Sequence, residues 1–143
     1  MLVRVGERWF GIPTQAIREV ALKGAVTRVP SAPRQVLGIA NLRGSPVPVV
    51  SLEQLVGAPG QARDTTAVLP RLVVVQASEY EVALVVDEIR GIVEPVAPLI
   101  LRDESGERPA FMREALVWQG ETILLLDIPA LVIAAAGLAE GSA

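Results

Sequence analysis

Gly38-Ile39-Ala40-Asn41-Leu42-Arg43-Gly44-Ser45-Pro46-Val47-Pro48-Val49-Val50 decides the fold of this chain. An apolar run enters a Leu-Arg-Gly-Ser corner, and a Val/Pro run leaves it. That pattern predicts a β-hairpin with Arg43 at its bend. Pro46 and Pro48 alternate with valine, so both remove an N–H on the same side of the outgoing strand. The strand is therefore expected at a sheet edge or a barrel corner. An arginine on so constrained a bend suits a docking contact better than a catalytic role. A solvated turn side chain is the alternative that the residues alone leave open.

Composition narrows the rest. Just over half of the 143 residues are apolar, but aromatics make up only 3%. The core must be built from Val, Leu, Ile and Ala, which favours β-structure. The net charge of −3 and the scarcity of aromatics argue against a nucleic-acid partner. Without Cys or His there is no disulfide, no thiolate nucleophile, no Ser-His-Asp triad and no ordinary zinc site, and no cofactor is expected. Met1 to Val5 lacks the pattern of a signal peptide, and Ile123 to Ala136 is broken by Asp127 and Pro129. A cytoplasmic protein with no inserted segment is expected.

The chain also resembles itself. Gly11 to Arg18 aligns without gaps on Ala83 to Arg90, each after a β-type run and a short polar turn. Arg43-Gly44 aligns on Gln119-Gly120, and Pro48 to Leu52 on Leu124 to Ile128. Units this small bury too little apolar surface to stand alone, so one domain over 1–143 with two packed lobes is expected. The expected division gives lobe 1 about 2–57, a Gly/Pro/Thr linker about 58–70, and lobe 2 about 71–132. Ser51 with Gln54 predicts a short helix over Leu52 to Val56. Asp127 before Pro129 predicts a second within about 128–143, ended by Gly137.

The segment Gly38 to Leu52, preceded by Val29-Pro30 and Ala32-Pro33, resembles the signature of the CheW family, the adaptors of bacterial chemosensory arrays. Val82 to Ile89 is similar to that family's second apolar block, and Ile123 to Ile128 to its closing strand. The three motifs stand in the family's order, and the resemblance runs from about Leu2 to about Val132. It implies an all-β fold of two small SH3-like barrels related by a pseudo-two-fold axis. It implies a non-catalytic adaptor between a chemoreceptor cytoplasmic tip and the regulatory domain of a CheA-type histidine kinase. Other CheW-like domains of an array are further candidate partners.

By that resemblance Arg43, Ile17, Glu19 and Gly38 form the expected receptor-binding patch, Gly38 by allowing a close backbone approach. Ile89, Ile92 and Val93 are the expected kinase contacts, with core packing as the alternative for each. Val20 reads as core, as do Val85 and Val86. Where many relatives carry an acid followed by Leu-Arg, this chain has Ser51-Leu52-Glu53. The change leaves open a second reading, a regulatory module that binds receptor but not kinase. A carboxylate hydrolase is the remote enzyme alternative. Adjacent Asp87 and Glu88 are expected to face opposite ways on a strand and so not to work as an acid pair.

Overall fold

The structure, a computed structural model, describes residues 1–55, 70–93, 99–100, 109–112 and 114–136. Its elements in chain order are β1 (Leu2–Val5), β2 (Arg8–Gly11), β3 (Ile17–Leu22), β4 (Val36–Leu42), β5 (Ser45–Val50), α1 (Leu52–Leu55), β6 (Arg71–Ala77) and β7 (Tyr80–Val86). There follow β8 (Glu88–Gly91), β9 (Leu99–Ile100), β10 (Glu114–Trp118), β11 (Glu121–Leu125) and α2 (Ile128–Ala135). One sheet has the order β8-β1-β2-β11-β10-β9 and the other β3-β6-β7-β5-β4. The all-β, two-lobed architecture follows the expectation.

The division of the chain between lobes does not. Each sheet takes a hairpin from the other half of the sequence: β1-β2 joins β8 to β11, and β6-β7 joins β3 to β5. The reason lies in the faces of β6 and β7. Leu72, Val74, Ala83 and Val85 pack inside the five-stranded lobe, while Val73, Val75, Val82, Leu84 and Val86 pack into a second cluster. Strands that are apolar on both faces must lie between two layers. That second cluster is the shared core, built also from Val3, Phe10 and Ile12 of the first hairpin, Val50, Leu52, Phe111, and α2 through Ile128, Leu131 and Val132. A smaller cluster of Leu2, Leu116 and Ile123, edged by both tryptophans, fills the six-stranded lobe. Residues 58–69 of the expected linker lie outside the described residues.

The exchange makes the internal repeat exact in register. β5 runs parallel to β7 with Val49 opposite Ala83, and β11 runs parallel to β2 with Leu125 opposite Gly11. These are equivalent pairs under the sequence alignment. Ile17 opposite Val75 matches Ile89 opposite Val3, and both ladders shift register at the next pair. The hairpin corners agree as closely. Arg43 and Gly44 have φ of +51° and +79°, and Gln119 and Gly120 have +50° and +78°. Positive φ at both central residues marks the type I′ turn whose twist matches the flanking strands.

Local expectations meet mixed outcomes. β5 is not an edge strand, but its pairing to β7 is confined to Val49 and Val50, beyond both prolines, so it forms a corner. The Ser51 hydroxyl accepts from the Gln54 N–H at 3.3 Å, and the helix it starts is a single turn. The Asp127 carboxylate accepts from the Ala130 N–H at 3.2 Å and caps α2; Gly137 lies outside the described residues. Val85 and Val86 are buried, but Val20 is exposed with Arg18 and Leu22, because the half-buried face of β3 carries Ile17, Glu19 and Ala21. Asp87 sits in the bend before β8 rather than on a strand, so its carboxylate and that of Glu88 both reach Arg4.

Candidate docking surface

The type I′ turn fixes where Arg43 points. A non-glycine residue at φ +51° costs on the order of 1 kcal/mol, and such strain collects at sites of function. Its guanidinium Nη2 lies 2.7 Å from Oε1 of Glu19. Glu19 is on β3 and Arg43 follows β4, the two opposite edges of the five-stranded sheet. The ion pair therefore bridges the open side of the lobe. The Arg43 side chain remains 62% exposed and that of Glu19 only 24%. The carboxylate holds one terminal nitrogen of the fork, leaving the N–H groups of Nε and Nη1 for an outside acceptor. Two residues of the expected receptor patch thus meet directly.

The other two take different positions. Ile17 is half-buried and packs against the shared core. Gly38 is buried, and a Cβ on it would collide with the Thr27 backbone and approach the Val26 side chain to 2.7 Å. The close approach expected at Gly38 occurs, but the chain itself supplies it: Thr27 and Ile39 exchange backbone hydrogen bonds of 2.9 and 2.8 Å beside it. A Gly38→Ala change should cost about 1–3 kcal/mol of stability, read as a lower melting temperature. An unchanged melt would show that the crossing segment gives way freely.

The second set also divides. Ile92 is 73% exposed, whereas Ile89 packs against the shared core and Val93 against the small cluster of the six-stranded lobe. Ile92 borders a groove of about 1020 Å³ that also touches Pro13, Gln76, Ser78 and Leu125. Among the described residues the acids lining it are Glu114 and Asp127, and Asp127 is engaged in capping α2. Sequence reasoning missed the network of paired charges beside Ile89. Arg4 Nε lies 3.2 Å from Glu88, the Gly6 N–H donates to Asp87 at 2.8 Å, and Arg90 stacks 4.7 Å above the Trp9 ring. The acids Asp87 and Glu88 next to Arg90, with Arg4 on the facing strand, were the available signal. These contacts use both carboxylates to fasten β8 to β1 and β2, which disfavours the acid-pair hydrolase. No described helix is long and apolar enough to cross a membrane, and no described group of acids gathers as a metal site.

A profile described as "CheW-like domain" matches residues 1–136. The chain belongs to the CheW-like domain family. It is 31% identical over 129 residues to a chemotaxis protein CheW of Rhizobium meliloti (strain 1021), covering 87% of this chain and 81% of that one. It is 30% identical over 108 residues to protein FrzA of Myxococcus xanthus, covering 75% and 66%. Among solved structures, the scaffolding protein TtCheW from Thermoanaerobacter tengcongensis superimposes with a TM-score of 0.75 at 20% identity, over 88% of this chain and 86% of that one.

Proposed function

We propose that this protein is a cytoplasmic, non-catalytic adaptor that couples a chemoreceptor cytoplasmic tip to the regulatory domain of a CheA-type histidine kinase. The observation that carries the reading is the Arg43 corner: a strained, largely exposed guanidinium braced by Glu19 at 2.7 Å. Such a fork suits carboxylates or carbonyls on a receptor hairpin. Ile17 supports β3 beneath Glu19, and Gly38 supports β4, so both act by holding the corner. On the other lobe Ile92 offers the kinase an exposed apolar contact just beyond β8, with Ile89 and Val93 anchoring the segment on either side. Modest pairwise contacts gain strength from repetition in an array, where other CheW-like domains also meet this one.

Calorimetric titration with the receptor-tip hairpin and, separately, with the kinase regulatory domain tests the proposal. Binding to both supports the coupler. Binding to the receptor alone assigns the protein instead to the regulatory class that the Ser51-Leu52-Glu53 departure raises. Binding to neither overturns both readings.

Ile92→Asp should weaken the kinase contact by about 1–3 kcal/mol, because a carboxylate must be desolvated at an apolar interface. At 73% exposure the fold should tolerate the change, and receptor affinity should stay as it is. A well-folded variant with full kinase affinity would remove Ile92 from that contact.

A further inference from the structure

From residue 20 to residue 52 the chain carries Lys23, Arg28, Arg34 and Arg43 and not one acid, although the whole protein is at −3. The first three lie on the strap from Lys23 to Gln35, which carries the chain from β3 at one edge of the five-stranded sheet to β4 at the other. The strap is pinned along its length. The Lys23 N–H donates to Pro70 at 3.0 Å, Thr27 and Ile39 exchange bonds, and the Val36 N–H donates to Pro33 at 2.9 Å. The Gln35 side-chain amide donates to the Ala135 carbonyl at the end of α2 at 3.1 Å. Its exposed side chains therefore stand on a fixed backbone.

Arg4, Arg18, Arg43 and Arg90 each face a carboxylate. Arg28 and Arg34 are exposed and have no ion-pair partner among the described residues. On the strap and the two strands it joins, Val29, Leu22 and Ile39 are also exposed, Leu22 at 63%. We infer that this strap is a second docking surface, separate from the Arg43 corner, for a protein segment that interleaves acidic and apolar residues. Acids of the partner meet Arg28 and Arg34, and its apolar side chains cover Leu22, Val29 and Ile39. The fixed backbone lowers the ordering cost of that contact. A nucleic-acid backbone would leave the three apolar side chains in water, and the strap has no aromatic residue for stacking. An anionic lipid surface is disfavoured by the protein's net charge of −3 and by only two unpaired arginines on the strap.

The test uses the full chain and a labelled soluble peptide rich in Glu and Leu, with its Lys-for-Glu counterpart and phosphatidylglycerol vesicles as further probes. The Glu peptide should bind in a salt-sensitive manner and shift backbone amides between Leu22 and Ile39 in NMR spectra. Arg28→Glu together with Arg34→Glu should weaken it at least about tenfold with an unchanged melting curve. Arg28→Lys together with Arg34→Lys should keep most of the binding. Arg43 is untouched in every variant, so the outcome is independent of receptor docking. No binding of the Glu peptide, full binding by the charge-reversed protein, amide shifts elsewhere, or a preference for the vesicles or the Lys peptide would each overturn the inference.

Discussion

Replacing Arg43 by Glu should remove about 2–4 kcal/mol of receptor binding, a loss of roughly 30- to 1,000-fold, while the protein stays folded. Two effects add. The partner loses a planar donor, and a second carboxylate appears beside that of Glu19, now without its cation. The fold should notice little, since an ion pair with one partner this exposed contributes at most about 1 kcal/mol. Arg43→Ala should fall between the wild type and the Glu variant, and Arg43→Lys should bind in part because an ammonium cannot make the bidentate contact. Combining Glu19→Arg with Arg43→Glu separates bracing from docking: the bridge across the lobe returns with its ends exchanged, but binding should not. Calorimetry with the receptor-tip hairpin and parallel melting curves provide the measurement. Full affinity in the Arg43→Glu protein would return Arg43 to the solvated-turn reading.

The second large effect concerns the shared core. Phe10 lies on the first hairpin but packs with Val73, Val75 and Leu84 of the other sheet through the common cluster. Phe10→Ala should cost about 3–5 kcal/mol, the usual penalty for emptying a buried aromatic site. Because the lobes exchange hairpins, the loss should fall on both at once. Trp9 and Trp118 report on the six-stranded sheet, and Tyr80, the single tyrosine, on the five-stranded one. Tryptophan fluorescence, tyrosine absorbance and circular dichroism should therefore trace one transition in the wild type and one earlier transition in the variant. Separate midpoints for the tryptophan and tyrosine signals would show that the lobes unfold independently.

Hairpins and caps were legible because their determinants are local. Arg43-Gly44 and Gln119-Gly120 name their turns, Asp127 before Pro129 names a helix start, and the gapless alignment of Gly11 to Arg18 on Ala83 to Arg90 survives as ladder register. The exchange of hairpins was not legible. Whether β2 lies beside β5 or β11 depends on which apolar faces meet after both layers form, and alternation within one strand says nothing of that choice. Val20 was misplaced for a related reason: β3 carries an apolar residue on each face, and its register against β6 turns Glu19 inward and Val20 outward. At the hairpin corner, Arg43 and Glu19 were both identifiable, but their pairing spans two sheet edges. Gly38 was read as making room for a partner, whereas the structure shows it crowded by the chain's own Thr27, a long-range crossing that the sequence does not announce.

Synthesis proceeds from the first residue onward, and the interlocked topology sets a condition on it. β2 needs β11 as its parallel neighbour, and the register joins Phe10 to Leu124. A nascent chain therefore holds its first hairpin without one of its two sheet partners until the last strand has left the ribosome. Until then Val3, Phe10 and Ile12 lack α2 and Leu126, against which they finally pack. Contacts so distant along the chain form late and slowly. Premature termination between residues 87 and 121 leaves the five-stranded sheet with all its strands but the six-stranded sheet incomplete and the shared core without α2, so such products present bare β-edges and uncovered apolar faces to proteases and chaperones.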